Sequence, residues 1–417
     1  MQPEIAVTGL GLVTPAGHTA DANWAALCQG RSLAAPDPEL AGLPVDFSCQ
    51  VTGFDAAAEL GRSLARRVDR FIQFALSAAR RAVADAALDT GTWPAERVGV
   101  VLGVGSNSLG TYVTEFCHLG EDRPERVSPL ALPRSVPSMA AGEVAIDLGA
   151  QGPNFTTSSA CASGATAIGV ARDLLRSGTC DIVLAGGSES ARSRMTATCF
   201  TRMRALSRRR EHPQLASRPF DAARDGFVLG EGAAVLVLER LSHARARRAP
   251  VQAVLRGYGA GADAHHPVAP HPHGHGAVRA IRVALEDAAC DPGDVGLVNA
   301  HGTSTPLNDA AEAAALTRVF GKDMPPVTAA KGVIGHALGA AGAIQAAYTV
   351  LALRRRTVPP VANFESQDGD HKLDIVAGRP RPTAGTAGLS CSFGFGGQNA
   401  VLLFTTDCRE LGAGETT

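Results

Sequence analysis

The sequence predicts an α/β protein whose sheets are covered by helices on both faces. Short runs rich in β-branched residues alternate along the chain with longer segments whose apolar residues recur at helical spacing. This alternation is typical of sheets that bury both of their faces against helices. A chain of 417 residues is also long enough to form two or more domains or one large duplicated unit.

The predicted elements follow one another in strand and helix order. The strand candidates are short apolar runs bounded by glycine, proline or polar residues, and the helix candidates are longer and amphipathic. The predicted strands are Ile5–Gly9, Val98–Leu102, Ile182–Leu184, Ala234–Leu238, Val251–Leu255, Gly296–Asn299, Leu389–Ser392 and Val401–Phe404. The predicted helices are Ala20–Cys28, Ala65–Ala87, Ala162–Ser177, Gly276–Ala289, Asp309–Val319 and Ala337–Leu353.

A polar segment from Glu239 to Pro250 separates two series of strands. The second series begins near Val251. We therefore place the boundary between an N-terminal half, residues 1–250, and a C-terminal half, residues 251–417. We expect similar strand–helix units in both halves, although inspection shows no sequence repeat.

Composition argues against several classes of function. The net charge of −1 gives no support for binding to nucleic acid or to a membrane through basic residues. The nine cysteines lie singly without C-x-x-C spacing, which suits a reducing cytosol better than a disulfide framework. The N-terminal residues form a strand pattern and not a signal peptide, and no apolar run is long enough to span a membrane. We expect a cytoplasmic protein without nucleic-acid or membrane partners.

The chain is organised around Cys161, in the segment SSACASG at residues 158–164. A short strand precedes this segment, and an amphipathic helix follows it and ends at Gly178. Unpaired N–H groups and the positive end of the helix dipole gather at such a corner, and both favour a reactive thiolate. The alternative is a small cysteine buried at a tight packing point.

Two glycine-rich segments, residues 9–11 (GLG) and 103–105 (GVG), invite a dinucleotide-binding interpretation. Neither completes G-x-G-x-x-G, and the first leads into Thr14-Pro15, which is a turn and not a helix start. We interpret both as tight packing turns. An oxidoreductase is therefore not supported.

The stretch between residues 265 and 275 is rich in histidine, and tracts of this kind can bind metal. Prolines and glycines interrupt it, and it contains no cysteine or acidic residue after Asp263. We predict a rigid surface loop over a pocket and no metal site. The histidines are His265, His266, His271, His273 and His275.

Three further motifs lie in the C-terminal half. His301 follows an apolar strand, where α/β sheets place ligands. His336 precedes an alanine-rich helix, whose N-terminus favours a neutral imidazole. The glycine-rich turn at residues 391–399 lets backbone N–H groups face a ligand. Each motif alone is also compatible with a structural role, but with Cys161 they supply a nucleophile, two donors and an oxyanion hole for thioester chemistry.

In this order and spacing the motifs resemble the β-ketoacyl-acyl-carrier-protein synthases, the condensing enzymes of fatty acid and polyketide synthesis. The resemblance is to the elongating branch with a Cys-His-His triad and covers nearly the whole chain. It includes residues 7–11 (VTGLG), 205–207 (ALS), 217–221 (SRPFD) and 224–228 (RDGFV). It implies a thiolase-like fold in which two related halves stack as five layers, α-β-α-β-α, and it implies a dimer.

The resemblance assigns catalytic roles to the motif residues. Cys161 takes the acyl group from an acyl carrier protein, and its N–H forms an oxyanion hole with that of Phe395. His301 and His336 stabilise the enolate formed when a malonyl thioester loses carbon dioxide. The enolate then attacks the acyl-Cys161 thioester. Lys331 matches the fixed lysine of the family, and we expect an ion pair between it and Glu312.

The resemblance also implies binding and supporting residues. Asp309 supports the network around Lys331, and Thr303 and Thr305 hold the phosphopantetheine arm. Phe393 and Phe395 form the hinge and gate of the acyl pocket. No cofactor is implied, because substrates arrive on the phosphopantetheine arm of the carrier.

Three positions depart from the family pattern. Val268 stands where relatives often have a threonine that contacts pantetheine, so one hydrogen bond is lost. Ser106 replaces a bulky aliphatic residue that limits pocket depth, which favours a longer, bent or unsaturated acyl chain. Gln345 replaces a common glutamate, for which the sequence offers no explanation. Together with the alanine- and arginine-rich composition, these departures favour a type II polyketide pathway.

Several alternatives stay open. The main one is housekeeping fatty acid elongation. Initiating enzymes of this fold carry asparagine at the position of His336, and thiolases use a second cysteine, for which Cys391 is the candidate. A non-catalytic partner is excluded because the catalytic residues are present. We expect a homodimer or a heterodimer with a homologous chain-length partner.

Overall fold

The structure of the protein, a computed structural model, describes residues 3–106 and 108–406. Helices and strands alternate along this part of the chain, as expected for an α/β protein. The helices are α1 (Ala20–Gln29), α2 (Ala56–Leu60), α3 (Arg62–Arg67), α4 (Arg70–Asp85), α5 (Leu109–Gly120), α6 (Ala131–Ser135), α7 (Ser138–Leu148), α8 (Ser163–Arg176), α9 (Arg194–Arg202), α10 (Leu241–Ala246), α11 (His275–Ala288), α12 (Pro306–Phe320), α13 (Lys331–Ile334) and α14 (Ala341–Arg354). The strands are β1 (Ile5–Val13), β2 (Ala35–Pro36), β3 (Phe47–Ser48), β4 (Val98–Gly103), β5 (Asn154–Thr157), β6 (Ile182–Glu189), β7 (Gly232–Arg240), β8 (Ala253–Ala262), β9 (Val295–Asn299), β10 (Val327–Thr328), β11 (Thr357–Val358), β12 (Arg381–Pro382), β13 (Ala387–Gly394) and β14 (Gln398–Thr405).

The predicted strands are present, and most are longer than predicted. The predicted helix Ala65–Ala87 is wrong at one point, because the chain becomes extended at Val68 and Asp69 between α3 and α4. The carboxylate of Asp69 accepts hydrogen bonds from Thr111 Oγ1 (2.5 Å) and Arg134 Nε (2.6 Å). These distant partners hold Asp69 out of the helix, and helical spacing alone does not reveal them.

The described strands form a large sheet with a seam at its centre. Its order is β10-β9-β13-β14-β8-β1-β7-β6-β4-β5. β1 pairs with β7 along most of its length but with β8 only over Ile5–Val7. The sheet therefore consists of two five-stranded halves, one beginning with β1 and the other with β8, that are joined by a short pairing.

Helices cover both halves of the sheet and separate them. α8 and α14 pack between the two halves and share one core with residues from each of them. α4 and α7 cover the outer face of the first half, and α11 and α12 cover that of the second. This is the predicted five-layer α-β-α-β-α arrangement. Its central helix layer lies next to the segments that carry the sequence motifs.

Glycines allow the first outer layer to approach the sheet. Gly9 and Gly11 lie inside β1 and not in turns, which corrects the prediction for this segment. A Cβ atom on Gly11 would lie 1.8 Å from the carbonyl oxygen of Ala78, and one on Gly9 would lie 2.2 Å from that of Ala82. Both carbonyls belong to α4, so the glycines are required for helix–strand contact and not for a nucleotide.

The predicted boundary between residues 250 and 251 falls in the connection from α10 to β8. β8 is the first strand of the second half of the sheet. The division of the chain at this point is still a prediction. None of the helices in the described ranges is long and apolar enough to cross a membrane.

We expect Gly11→Ala to lower the free energy of unfolding by about 2–3 kcal/mol, because the methyl group would collide with the backbone of α4. Equilibrium unfolding in urea measures this change. Gly110→Ala is the matched control, since no atom lies within 4 Å of the added methyl group. Its effect should stay below about 1 kcal/mol. Equal stability of the two variants would contradict the close approach of β1 and α4.

Candidate active site

Cys161 lies at the corner between β5 and α8, as the sequence predicts. It occupies the short 3-10 turn Ala160–Ala162, immediately before α8. The hydroxyl of Ser163 accepts from the N–H of Ser159 (2.9 Å) and donates to the carbonyl of Ala160 (2.6 Å). Ala160 has a left-handed φ of 49°, which is unfavourable for alanine, so the surrounding contacts must hold it. The corner therefore presents Cys161 in a fixed orientation.

The two histidines singled out from the sequence lie beside Cys161. The Cys161 sulfur and one ring nitrogen from each of His301 and His336 lie within 4.8 Å of one another. The imidazole centroids are 5.4 Å apart, and the rings are nearly perpendicular at 85°. All three residues are buried. Three motifs that are distant in the sequence thus converge on one site.

His301 follows the C-terminal end of β9, and its ring is oriented by Lys331. The ammonium Nζ of Lys331 lies 3.3 Å from Nδ1 of His301. Because an ammonium group can only donate, Nδ1 is the acceptor and the ring proton lies on Nε2. The backbone N–H of His301 donates to Glu312 Oε1 (2.7 Å), which fixes the start of the loop.

Two backbone hydrogen bonds fix the position of His336. Its N–H donates to the carbonyl of Val228 (2.8 Å), and its own carbonyl accepts from Gly230 N–H (3.0 Å). Its ring Nδ1 accepts from the N–H of Leu338 (3.2 Å). Nε2 of this ring therefore also carries the proton. Both histidines keep Nε2–H as the donor that is free for a ligand.

Both imidazoles are neutral near neutral pH. Burial holds the pKa of His301 and His336 well below the usual value, and the positive charge of Lys331 lowers both further. This agrees with the neutral histidine predicted at position 336. Neutral donors suit a site in which negative charge develops during the reaction.

Lys331 is fixed by His301 and Gln345 and not by Glu312. Nζ donates to the His301 carbonyl (2.6 Å) and to Gln345 Oε1 (2.5 Å). In the described chain it makes no ion pair with Glu312, so the predicted pair is wrong. Both Glu312 oxygens instead accept backbone N–H groups, from His301 (2.7 Å) and Gly302 (2.8 Å). Burial lowers the pKa of Lys331 and raises that of Glu312.

The structure explains the glutamine at position 345. Its Nε2 donates to the carbonyls of Ala300 (2.8 Å) and Cys391 (3.0 Å), while its Oε1 accepts from Lys331. A carboxylate at this position would present acceptors to these two carbonyls. Gln345 therefore joins the His301 loop, Lys331 and β13 through one neutral side chain.

Asp309 organises the loop after His301. Its Oδ2 accepts from the N–H groups of Phe220 (2.7 Å) and Ser304 (3.1 Å), and its Oδ1 accepts from the Thr303 hydroxyl (3.4 Å). Burial raises the pKa of this carboxyl. Thr305 caps α12 by accepting from the N–H of Asn308 (3.4 Å). Asp309 thus lies behind the predicted binding threonines, without contact to Cys161.

The thiol of Cys161 is protonated near neutral pH. Burial raises its pKa to about 11, and the charge of Glu189 acts in the same direction. Lys331 and the N–H groups of Phe395 and Cys161 itself lower the pKa, but by less. The sequence-based expectation of a thiolate at this corner is therefore wrong for the free protein, because desolvation outweighs the Lys331 charge and the N–H donors.

Cys161, His301 and His336 line a mostly apolar cavity of about 480 Å³. The predicted binding residues Thr303, Thr305 and Val268 also line it, and Val268 is 38% exposed. The hydroxyls of the two threonines are 2.9 Å apart. Large apolar side chains complete the wall: Phe200, Met203, Phe227, Leu338, Phe393 and Phe395.

Ser106 is not one of the residues that line the cavity in the described chain. Its hydroxyl donates to Glu189 Oε1 (2.9 Å). Lys331, Glu312 and Asp309 also lie behind the cavity wall. The predicted site residues therefore form an inner group that borders the cavity and an outer group that supports it.

The histidine-rich segment spans the loop between β8 and α11 and the first residue of α11, and His266 reaches the cavity. The rings of His271 and His275 stack with centroids 4.3 Å apart. Within residues 3–106 and 108–406, the side-chain group whose ligand atoms are spaced to hold a metal ion is Cys161 with His301 and His336. The loop has no such arrangement.

α9 supplies part of the cavity wall and is not among the helices predicted from the sequence. Phe200 lies in this helix and Met203 directly follows it. A signal was present in Ser193, whose hydroxyl caps the helix by accepting from Thr196 N–H (3.1 Å). The spacing of Phe200 and Met203 is also helical.

Comparison with known proteins gives the family. Residues 2–244 match the beta-ketoacyl synthase N-terminal domain, and residues 252–365 match the C-terminal domain of that family. The 3-oxoacyl-(acyl-carrier-protein) synthase 2 of Synechocystis sp. is 41% identical over 404 residues, which are 96% of this chain and 97% of that protein.

Two solved structures share the fold. The ishigamide ketosynthase/chain length factor is 33% identical with a TM-score of 0.91, covering 97% of this chain and 100% of that one. A type II PKS acyl-carrier protein in complex with its ketosynthase bound to the hexaketide, AntDE:AntF, matches at 30% identity, a TM-score of 0.90 and the same coverage. These matches confirm the thiolase-like fold and the expected resemblance. The chain belongs to the β-ketoacyl synthase family, a family of acyltransferases that form carbon–carbon bonds.

Proposed function

We propose that the protein condenses a carrier-bound malonyl unit with an acyl chain held as a thioester on Cys161, with loss of carbon dioxide. One observation carries this proposal. The Cys161 sulfur and the neutral imidazoles of His301 and His336 lie within 4.8 Å of one another and border one apolar cavity. A nucleophile and two neutral donors are the groups that such a condensation requires.

The first step is acyl transfer to Cys161. The thiol attacks the carbonyl of the acyl-carrier thioester, and its proton leaves on the sulfur of the carrier. The backbone N–H groups of Phe395 and Cys161 interact with the sulfur and lower the pKa of the thiol, and we propose that they receive the oxyanion. Gly394 permits this proximity, because a Cβ atom there would lie 3.0 Å from the Cys161 nitrogen.

The second step forms the carbon–carbon bond. As the malonyl thioester loses carbon dioxide, charge develops on its carbonyl oxygen, and the Nε2–H groups of His301 and His336 donate to it. The resulting carbanion attacks the acyl-Cys161 carbonyl, and the sulfur leaves as a thiolate. A proton from water then restores the thiol. The product is a β-ketoacyl chain on the carrier.

The remaining predicted residues position these groups. Lys331 fixes the tautomer of His301, and Glu312 and Asp309 hold the loop that follows it. We propose that Thr303 and Thr305 bind the phosphopantetheine arm at the cavity, with Val268 giving only apolar contact. Phe393 and Phe395 act as hinge and gate of the acyl pocket. The proposed reaction needs no cofactor beyond the carrier's own arm.

We propose an acyl carrier protein and a second chain of the same fold as partners, in the cytoplasm. The AntDE:AntF neighbour holds a ketosynthase with its acyl-carrier protein, and the ishigamide neighbour holds a ketosynthase with a chain length factor. β5 lies at an edge of the sheet, and α5 presents an apolar face on which Val113, Phe116 and Leu119 are each at least half exposed. A second, identical or homologous, chain would cover this apolar face.

We propose a type II polyketide pathway, and fatty acid elongation is the second candidate. The structural neighbours favour the first and the 41% identical relative favours the second. The two candidates can be separated by incubating the protein with acyl carriers that bear saturated chains or oxo- or polyene chains. Mass spectrometry then measures which acyl group is attached to Cys161. Preferential acylation by the oxo or polyene chains supports the polyketide pathway.

Single alanine variants test the assigned roles. Cys161→Ala should abolish condensation but retain malonyl decarboxylation, which the histidines serve. His301→Ala and His336→Ala should each slow decarboxylation by about 100-fold or more, while Cys161 still becomes acylated. His243→Ala, a change outside the cavity, is the control. An alanine variant of Cys161 that still elongates a primed chain at the normal rate would disprove the role of the thiol.

The high pKa of Cys161 predicts a characteristic pH profile. The thiolate fraction rises with pH up to the pKa, so alkylation by iodoacetamide should accelerate by about tenfold per pH unit between pH 7 and pH 9. Peptide mass spectrometry isolates the signal of Cys161 from the exposed Cys117 and Cys199. A rate that levels off near neutral pH would show that the thiol is not desolvated.

A further inference from the structure

Glu189 is a buried carboxyl group that the proposed chemistry does not use. It ends β6 and is 2% exposed. Its Oε2 accepts the backbone N–H groups of Gly105 (2.9 Å) and Gly339 (3.3 Å), and its Oε1 accepts the hydroxyl of Ser106 (2.9 Å). In the described part of the chain no lysine or arginine lies within ion-pair distance of it. Burial raises its pKa to about 7.

These donors come from two segments that meet behind the cavity. Gly105 and Ser106 lie in the loop after β4, whereas Gly339 lies in the turn between His336 and α14. The two backbones are in close contact, because a Cβ atom on Gly339 would lie 2.1 Å from the nitrogen of Gly105. Glu189 binds both segments and therefore fixes one against the other.

The contact between these two segments lies directly behind the reactive groups. Leu338, the residue before Gly339, lines the cavity beside Cys161. Glu189 is close enough for its charge to raise the pKa of the Cys161 thiol. The wall beside the acylated sulfur therefore depends on this carboxyl group.

Hydrogen bonding explains why a carboxyl group is buried here. Burying it without a cation is unfavourable, and an apolar side chain would fill the space without that cost. An apolar side chain would, however, leave the N–H groups of Gly105 and Gly339 and the Ser106 hydroxyl without this acceptor, and the Gly339 N–H is buried. Because Glu189 accepts from both chain segments, it holds them together at Ser106. The cavity is closed at this point, and Ser106 does not line it.

We propose that Glu189 is a positioning residue that holds the cavity wall closed between Ser106 and Gly339 and so limits the length of acyl chain accepted by Cys161. The inference rests on the proposed function, in which Cys161 carries the chain. Without the carboxyl group, the loop at Ser106 and the turn at Gly339 separate. The cavity then extends between them, and long chains fit.

Acylation of Cys161 by carriers that bear a short or a long saturated acyl chain tests this proposal. Glu189→Ala should raise the ratio of long-chain to short-chain acylation rates by about tenfold, because the donors lose their acceptor. Glu189→Gln should keep the wild-type ratio, since its amide oxygen still accepts both glycine N–H groups. Ser190→Ala is the control, because its hydroxyl donates to Glu231 (2.7 Å) and not to the wall.

If Glu189→Ala does not fold, Ser106→Ala replaces it and should raise the same ratio by about threefold, since one donor is removed. Slower acylation by both chains at an unchanged ratio would overturn the inference and leave a structural role. Wild-type protein that is acylated at Cys161 by neither chain would overturn the proposed function and this inference with it.

Discussion

Exclusion of water from the junction between the two sheet halves is the constraint on which the rest of the site depends. Cys161, His301, His336 and Lys331 are each at most 9% exposed. Desolvation disfavours every charged form, so the thiol keeps its proton and the imidazoles stay neutral. Charge then develops only during the reaction, where fixed N–H donors meet it without competition from water.

Burial makes the histidines neutral, but hydrogen bonds decide which nitrogen carries the proton. Lys331 donates toward Nδ1 of His301, and the Leu338 N–H donates to Nδ1 of His336. Both Nε2–H groups are thereby left for a ligand. Gln345 holds Lys331 with a neutral oxygen, so the site is fixed without a close ion pair. Removal of any one of these side chains would leave a buried polar group without a hydrogen-bond partner. The residues therefore depend on one another.

The layers and the three motifs could be predicted from the sequence because both depend on local signals. Strand–helix alternation predicts the layers. The residues next to Cys161, His301 and His336 predict that each of the three lies near the end of a strand or the start of a helix. The partner of Lys331 could not be predicted, because a carboxylate is the more obvious partner of a lysine than the amide of Gln345, and Glu312 turns out to accept backbone N–H groups. The thiolate prediction failed because burial depends on tertiary packing, whereas a helix N-terminus is visible in the sequence. Ser106 likewise required knowledge of Glu189, which is distant in the chain.

The proposed mechanism requires that the imidazoles of His301 and His336 are both neutral Nε2–H donors in the free protein. Nitrogen-15 NMR of histidine-labelled protein near neutral pH measures this most directly, and His301→Ala and His336→Ala assign the two signals. We predict that each ring has a protonated Nε2 and an unprotonated Nδ1, and that neither titrates as the pH is lowered toward the usual histidine range. An imidazolium, or a proton on Nδ1, at either residue would contradict the account.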